Sequence, residues 1–128
     1  MQILPTVLLE HVTRTGRHYD WLVGMPTGLA DHENRLWSLR VKLPSWHWQA
    51  AGKIMATQLP PHRRVYLQYE GPLSRQRGVV RRVDEGTATA TMWTQSKITL
   101  LLKMQRTNGV FHLYQATDPQ QWNIKYEP

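Results

Sequence analysis

Apolar and polar residues alternate along much of this chain with a period of two, the spacing that puts one face of a strand against a core. Near the start, Val7, Leu9 and His11 share one face while Leu8, Glu10 and Val12 share the other. Further on, His18, Asp20 and Leu22 lie together, opposed by Tyr19, Trp21 and Val23. The same pattern predicts strands over 36–41, 54–58, 65–69, 78–83, 87–93, 98–105, 110–116 and 122–126. Arg106-Thr107-Asn108-Gly109 predicts a hairpin, with Asn-Gly at the φ > 0 positions of a tight turn. Asp84-Glu85-Gly86 reads as a second turn. Helix is expected only as a short piece from Trp46 to Ala51, capped by Ser45 and ended by Gly52. Pro60-Pro61 and Glu70-Gly71-Pro72 punctuate the middle, and Gly24 to Asn34 reads as a loop. Many short strands with frequent turns predict an all-β barrel or sandwich with little helix, and 128 residues without a linker or repeat predict one domain, 1–128.

Composition narrows the class. A hydrophobic fraction of 41% with six Trp excludes a disordered chain. No apolar run approaches the roughly 18 residues of a membrane span, and Met1 to Val12, carrying Glu10 and His11, lacks the pattern of a signal peptide. The absence of cysteine excludes disulfides and thiolate metal sites, so a cytoplasmic protein is expected and any metal must sit on His and carboxylates. The formal charge of +7, from 16 Lys and Arg against 9 Asp and Glu, favours a polyanionic partner: nucleic acid, acidic lipid or a phosphorylated substrate. It is equally the charge of an ordinary basic surface.

His18-Tyr19-Asp20 is the most informative triplet, because residues two apart on a strand point the same way. An imidazole and a carboxylate then converge, and His11 on the preceding strand supplies a third donor. Two His and a carboxylate suit a divalent metal with open positions; the same residues also read as two surface His and a turn Asp. His62 and Tyr66 form a second pair, four residues apart on an expected strand, suited to act on a phosphate, or else a solvated His and a strand aromatic. Arginines and one lysine cluster around these groups: Arg14 and Arg17, Arg35, Arg40 and Lys42, Arg63 and Arg64, Arg75 to Arg82. Trp46-His47-Trp48 reads as a base-stacking surface or a core edge.

These strings resemble a known family. His18-Tyr19-Asp20-Trp21-Leu22 is similar to the His-Tyr-Asp-aromatic-Arg-Leu motif of the 3′-phosphoesterase domain of bacterial DNA ligase D. His62 to Gly71 resembles its His-Pro-Leu-x-Tyr-x-x-Phe-Glu-Gly string, with His62, Tyr66, Tyr69 and Glu70-Gly71 in register. Ser38 to Ser45, Gly78 to Thr87, Ile98 to Gln115 and Trp122 to Lys125 are similar to further segments, so the likeness runs from about Val7 to Tyr126. It implies a small β-barrel and a manganese-dependent hydrolase of DNA repair that trims 3′ ends, removing a terminal ribonucleoside and then the 3′-phosphate. It implies His11, His18 and Asp20 as ligands of Mn²⁺, or of another divalent cation. It implies His62 and Tyr66 as the catalytic pair, with Lys42, Arg40 and Arg17 holding phosphate. Expected partners are DNA or RNA 3′ ends and a repair ligase or polymerase, with no membrane, for a monomeric protein. Leu22 and Ile54 stand where the family carries Arg, which implies a reduced rate. A noncatalytic module that binds ends, and a basic structural subunit without a site, are the two alternative readings.

Overall fold

Alternation translates into strands that wind into a closed barrel. The computed structural model describes residues 1–27 and 35–128, so the expected loop from Gly24 to Asn34 lies, from residue 28 on, outside the described residues. The strands are β1 (Gln2–Thr13), β2 (Gly16–Gly24), β3 (Arg35–Val41), β4 (Lys53–Arg63), β5 (Gly71–Pro72), β6 (Val79–Trp93), β7 (Lys97–Met104), β8 (Asn108–Gln115) and β9 (Gln121–Glu127). They pair in the order β1-β2-β3-β4-β9-β8-β7-β6-β5, and β1 also pairs with β6. That last pairing closes eight antiparallel strands on themselves, which removes exposed sheet edges; the two-residue β5 lies outside on β6. The all-β barrel is therefore as expected, and the helix is confined to short pieces. No helix among the described residues is long and apolar enough to cross a membrane.

One face of each of the eight barrel strands fills the interior. Trp21, Trp48, Phe111, Leu100, Leu102 and Trp122 are among its fully buried side chains. Each contributes about 1.5–3 kcal/mol by leaving water. The outer face carries a second, smaller cluster of Val7, Leu9, Leu22, Leu36 and Val80, covered by Tyr66, Leu67, Tyr69 and Leu73. The cover begins with a 3-10 helix, Arg64–Leu67, in place of the expected strand over 65–69. Tyr66 and Tyr69 are three apart and both reach the cluster. A helical turn aligns residues at that spacing, whereas a strand sends them to opposite faces. Arg82 fastens this cover: its N–H donates to Glu70 Oε2 and its guanidinium to the Leu67 carbonyl.

Three local expectations change. Asp84-Glu85-Gly86 is no turn but lies inside the 15-residue β6. There β1 pairs Leu8 with Asp84 and Leu9 with Arg82, so Val83 is a bulge that bends the strand around the barrel. Gly86 is required where β6 crosses β7, since a Cβ there would collide with the Lys103 carbonyl. The β7–β8 hairpin forms, but Asn108 and Gly109 already pair with Lys103 and Leu102, and the reversal falls on Gln105 to Thr107. Ser45 does not cap the short helix: Pro44 holds the N-cap position of the 3-10 turn Ser45–His47, which leads into α1 (Trp48–Ala51). The Ser45 hydroxyl donates instead to Asp84 Oδ2 at 2.7 Å.

Candidate functional site

The β1–β2 hairpin builds the first half of the site. His11 and His18 face each other across the two strands, and Asp20 follows two residues on, pointing the same way. His11 Nδ1 lies 2.9 Å from His18 Nε2 and 3.7 Å from Asp20 Oδ2, while His18 Nε2 lies 3.4 Å from Asp20 Oδ1. All three donor atoms fall within 4.8 Å of one another. Ligands about 2.1 Å from one divalent ion stand about 3.0–3.5 Å apart, so the spacing suits a shared cation.

Two further features bear on what this cluster can hold. His11 Nε2 sits 2.6 Å from the Arg77 carbonyl, which can only accept, so Nε2 carries the proton and the Nδ1 lone pair faces His18 and Asp20. The turn that delivers this carbonyl is strained. Arg75 and Gln76 take φ of 58° and 56°, left-handed values that cost a side-chain-bearing residue about 1–2 kcal/mol each. Gly78 then passes so close to β1 that a Cβ would collide with the Val12 carbonyl. Secondly, Asp20 is only 4% exposed, yet its Oδ1 accepts no hydrogen bond from any described residue. Its nearest cation, Arg40 Nε, stands at 3.9 Å. A buried carboxylate oxygen without a donor is costly unless something else fills the place.

The second half comes from β4. Leu36 pairs with His62 and Ser38 with Leu59, leaving one residue on β3 opposite Pro60 and Pro61 on β4. This bulge shifts the strand's parity, so Leu59 and His62, three apart, both reach the same cleft. Tyr66 reaches it from the 3-10 helix, its ring edge-on to His62 at 5.7 Å. The pair therefore meets, although not through the strand periodicity that suggested it. The cleft measures about 470 Å³ and takes in His11, Asp20, His62 and Tyr66 with four guanidinium groups, Arg35, Arg40, Arg63 and Arg77. Arg35 and Arg63 are directly paired across β3 and β4. Like charges opposite each other repel, and an anion between them would relieve it.

Burial pushes the His18 and His62 imidazoles below their ordinary value of 6.5, with Asp20 pulling the other way in both. Both are neutral at physiological pH, the state in which an imidazole can ligate or accept a proton. His62 Nδ1 is buried without a partner among the described residues.

Other expected residues stand apart. Lys42 is exposed just beyond β3 and does not line the cleft. Arg17, next to His18 on β2, turns to the opposite face and pairs with Glu10 at 3.3 Å; Arg81 meets the same carboxylate at 3.1 Å. Leu22 is fully buried in the outer cluster and Ile54 lies in the barrel core. Trp48 is core, and Trp46 lies beneath the Arg106 guanidinium, 3.4 Å from its ring centre. The places of Arg35 and Arg63 in the cleft have no signal in the sequence beyond membership of basic clusters. No known family model matches the chain, and no curated protein matches it.

Proposed function

We propose that this protein is a metal-dependent phosphoesterase-like protein that acts on the 3′ ends of DNA or RNA, with end-binding and 3′-phosphate or 3′-ribonucleoside removal as its role in repair. The observation that carries the reading is the unsatisfied, buried Asp20 Oδ1 beside His11 Nδ1 and His18 Nε2, at one end of a cleft lined by four arginines. His11, His18 and Asp20 would hold a divalent ion, Mn²⁺ first, which when bound neutralises phosphate charge and acidifies water. Arg35, Arg40, Arg63 and Arg77 attract and orient the phosphate, by charge-assisted hydrogen bonds. As a water oxygen bonds to phosphorus and the P–O3′ bond breaks, neutral His62 takes the proton of the water and returns it to the leaving 3′ oxygen, while the Tyr66 hydroxyl donates to a phosphate oxygen. Lys42 and Arg17 have no part in this scheme. A monomer in the cytoplasm, serving a repair ligase or polymerase, is the setting we propose.

The buried positions of Leu22 and Ile54 favour a second reading, an end-binding relative without turnover. The two are separated with a labelled primer bearing a 3′-phosphate, incubated with Mn²⁺ or with chelator. Turnover that needs Mn²⁺ and falls at least a hundredfold in His62→Ala and Asp20→Ala is expected. Salt-sensitive binding with no turnover at any pH or metal would leave the second reading; no binding at all would dispose of both.

A further inference from the structure

A separate pocket of about 480 Å³ opens on the barrel where Trp37, Trp93 and Trp122 meet. Trp37 stands edge-on to Trp93 at 5.4 Å and to Trp122 at 5.2 Å. Trp37 and Trp122 are buried and therefore fixed, while Trp93 is half-buried and leaves part of its indole open. No charged side chain is among the described residues that line the pocket. Its polar groups are neutral, with the amides of Gln58 and Gln95 prominent. Gln58 Oε1 already accepts from Trp122 Nε1 at 2.9 Å, so this side chain offers a ligand chiefly its N–H donors.

Pro61 lines both this pocket and the arginine cleft, and the next residue is His62. One wall thus separates a strongly cationic site from an uncharged aromatic one. The molecule that matches carries an anionic group and, a few ångströms away, a planar uncharged ring with hydrogen-bonding edges. We infer that the tryptophan pocket holds a nucleobase of the strand whose phosphate lies in the arginine cleft, the base stacking on Trp93 with its edge toward Gln58 and Gln95. This rests on the proposed reading of the cleft and extends it: the protein would grip an end by a base as well as by its phosphates.

The test uses a dye-labelled, 3′-phosphorylated single-stranded oligonucleotide and three copies with an abasic residue at each of the last three positions in turn. Binding is followed by anisotropy, in chelator so that nothing is turned over, at several salt concentrations. One abasic copy should bind on the order of tenfold more weakly than the intact strand. That difference should vanish in Trp93→Leu and largely persist in Trp93→Phe, which retains a ring. Intrinsic tryptophan fluorescence, quenched by the intact strand and less so by that abasic copy, tests the same contact without any variant. If all three abasic copies bind within twofold of the intact strand while binding still weakens with salt, the base pocket is wrong and the cleft reading stands. A positional loss that survives in folded Trp93→Leu also overturns it. Absence of binding by every strand overturns both.

Discussion

Two carboxylates are buried among the described residues of this barrel, and they are treated in opposite ways. Asp84, 1% exposed, receives four hydrogen bonds. The Ser45 and Thr107 hydroxyls donate to Oδ2 at 2.7 and 2.8 Å, and the N–H groups of Arg106 and Glu85 donate to Oδ1 at 2.9 and 3.0 Å. It ties the turn before α1, the β7–β8 hairpin and the bulge of β6 into one brace. Asp20, nearly as buried, has an oxygen with no donor among the described residues, and two imidazole nitrogens crowd the carboxylate. Desolvating a carboxylate costs several kcal/mol unless donors replace the lost water. The barrel meets that cost in full at Asp84 and leaves it unmet at Asp20 Oδ1, so the first is structural, while the second fits the cation of the proposed function.

The sharpest way to break this contrast is to delete each side chain in the absence of metal. Asp84→Ala strands two hydroxyls and two backbone N–H groups, and should lower stability by about 3–5 kcal/mol. Asp20→Ala removes an ill-satisfied charge at the cleft and should change stability by less than about 1 kcal/mol. Urea unfolding in chelator reads both, and equal losses would end the distinction. Metal should then act on one carboxylate only. Mn²⁺ at a hundred times its dissociation constant should add about 2.7 kcal/mol to the parent protein. It should add the same to a tolerated Ser45→Ala variant at the Asp84 brace and nothing to His18→Ala or Asp20→Ala.

A smaller effect follows from the imidazoles. His18 and His62 are held below 6.5 chiefly by burial, whereas in the unfolded chain they titrate near that value. Between the two values the unfolded chain carries more protons, so stability falls as pH drops below 6.5 and is indifferent to these groups above it. Added Mn²⁺ should steepen the loss, because protons and metal compete for His18. His18→Gln, measured in chelator, should flatten the curve below pH 6.5. A curve unchanged by that substitution would mean that other groups govern the slope.

How much of the molecule is legible in the sequence depends on distance along the chain. His11, His18 and Asp20 meet within one hairpin, where strand alternation dictates the face, and so their convergence can be read directly. The barrel follows from the same alternation. His62 and Tyr66 meet for a reason alternation hides, a bulge at Pro60-Pro61 followed by a 3-10 turn. Pro60-Pro61 is visible as punctuation, but its effect on parity depends on pairing with β3, a partner more than 20 residues away. Arg35, Arg63 and Arg77 enter the cleft from three separate elements, and only the fold brings them together. The brace at Asp84 is hidden because Asp-Glu-Gly has turn chemistry, while its hydroxyl donors come from residues 39 and 23 positions away. The resemblance makes Leu22 and Ile54 stand for lost arginines. Both prove to be packed positions, so Leu22→Arg would break the outer cluster rather than restore a phosphate contact.

The finest probe of the contrast is Arg40, because the two roles available to it carry opposite signs. Its side chain is about half exposed, and its Nε stands 3.9 Å from Asp20 Oδ1. If Arg40 were simply the counter-ion of Asp20, the pair would be structural, and Arg40→Ala would leave a buried charge unpaired. The half-exposed guanidinium is screened by water and stands beyond hydrogen-bond reach of that oxygen, so it contributes at most about 1 kcal/mol and stability in chelator should barely move. In the metal reading the guanidinium is a like charge beside the cation. Its removal should tighten Mn²⁺ a few-fold, since even a screened repulsion at several ångströms amounts to roughly 1 kcal/mol. Toward a phosphate, Arg40 is a donor in the cleft, and its loss should weaken binding of a 3′-phosphorylated strand about tenfold. Calorimetric Mn²⁺ titration and anisotropy on the same variant therefore should move in opposite directions. Movement of both toward weaker binding would show that Arg40 holds Asp20 in place rather than facing what Asp20 binds.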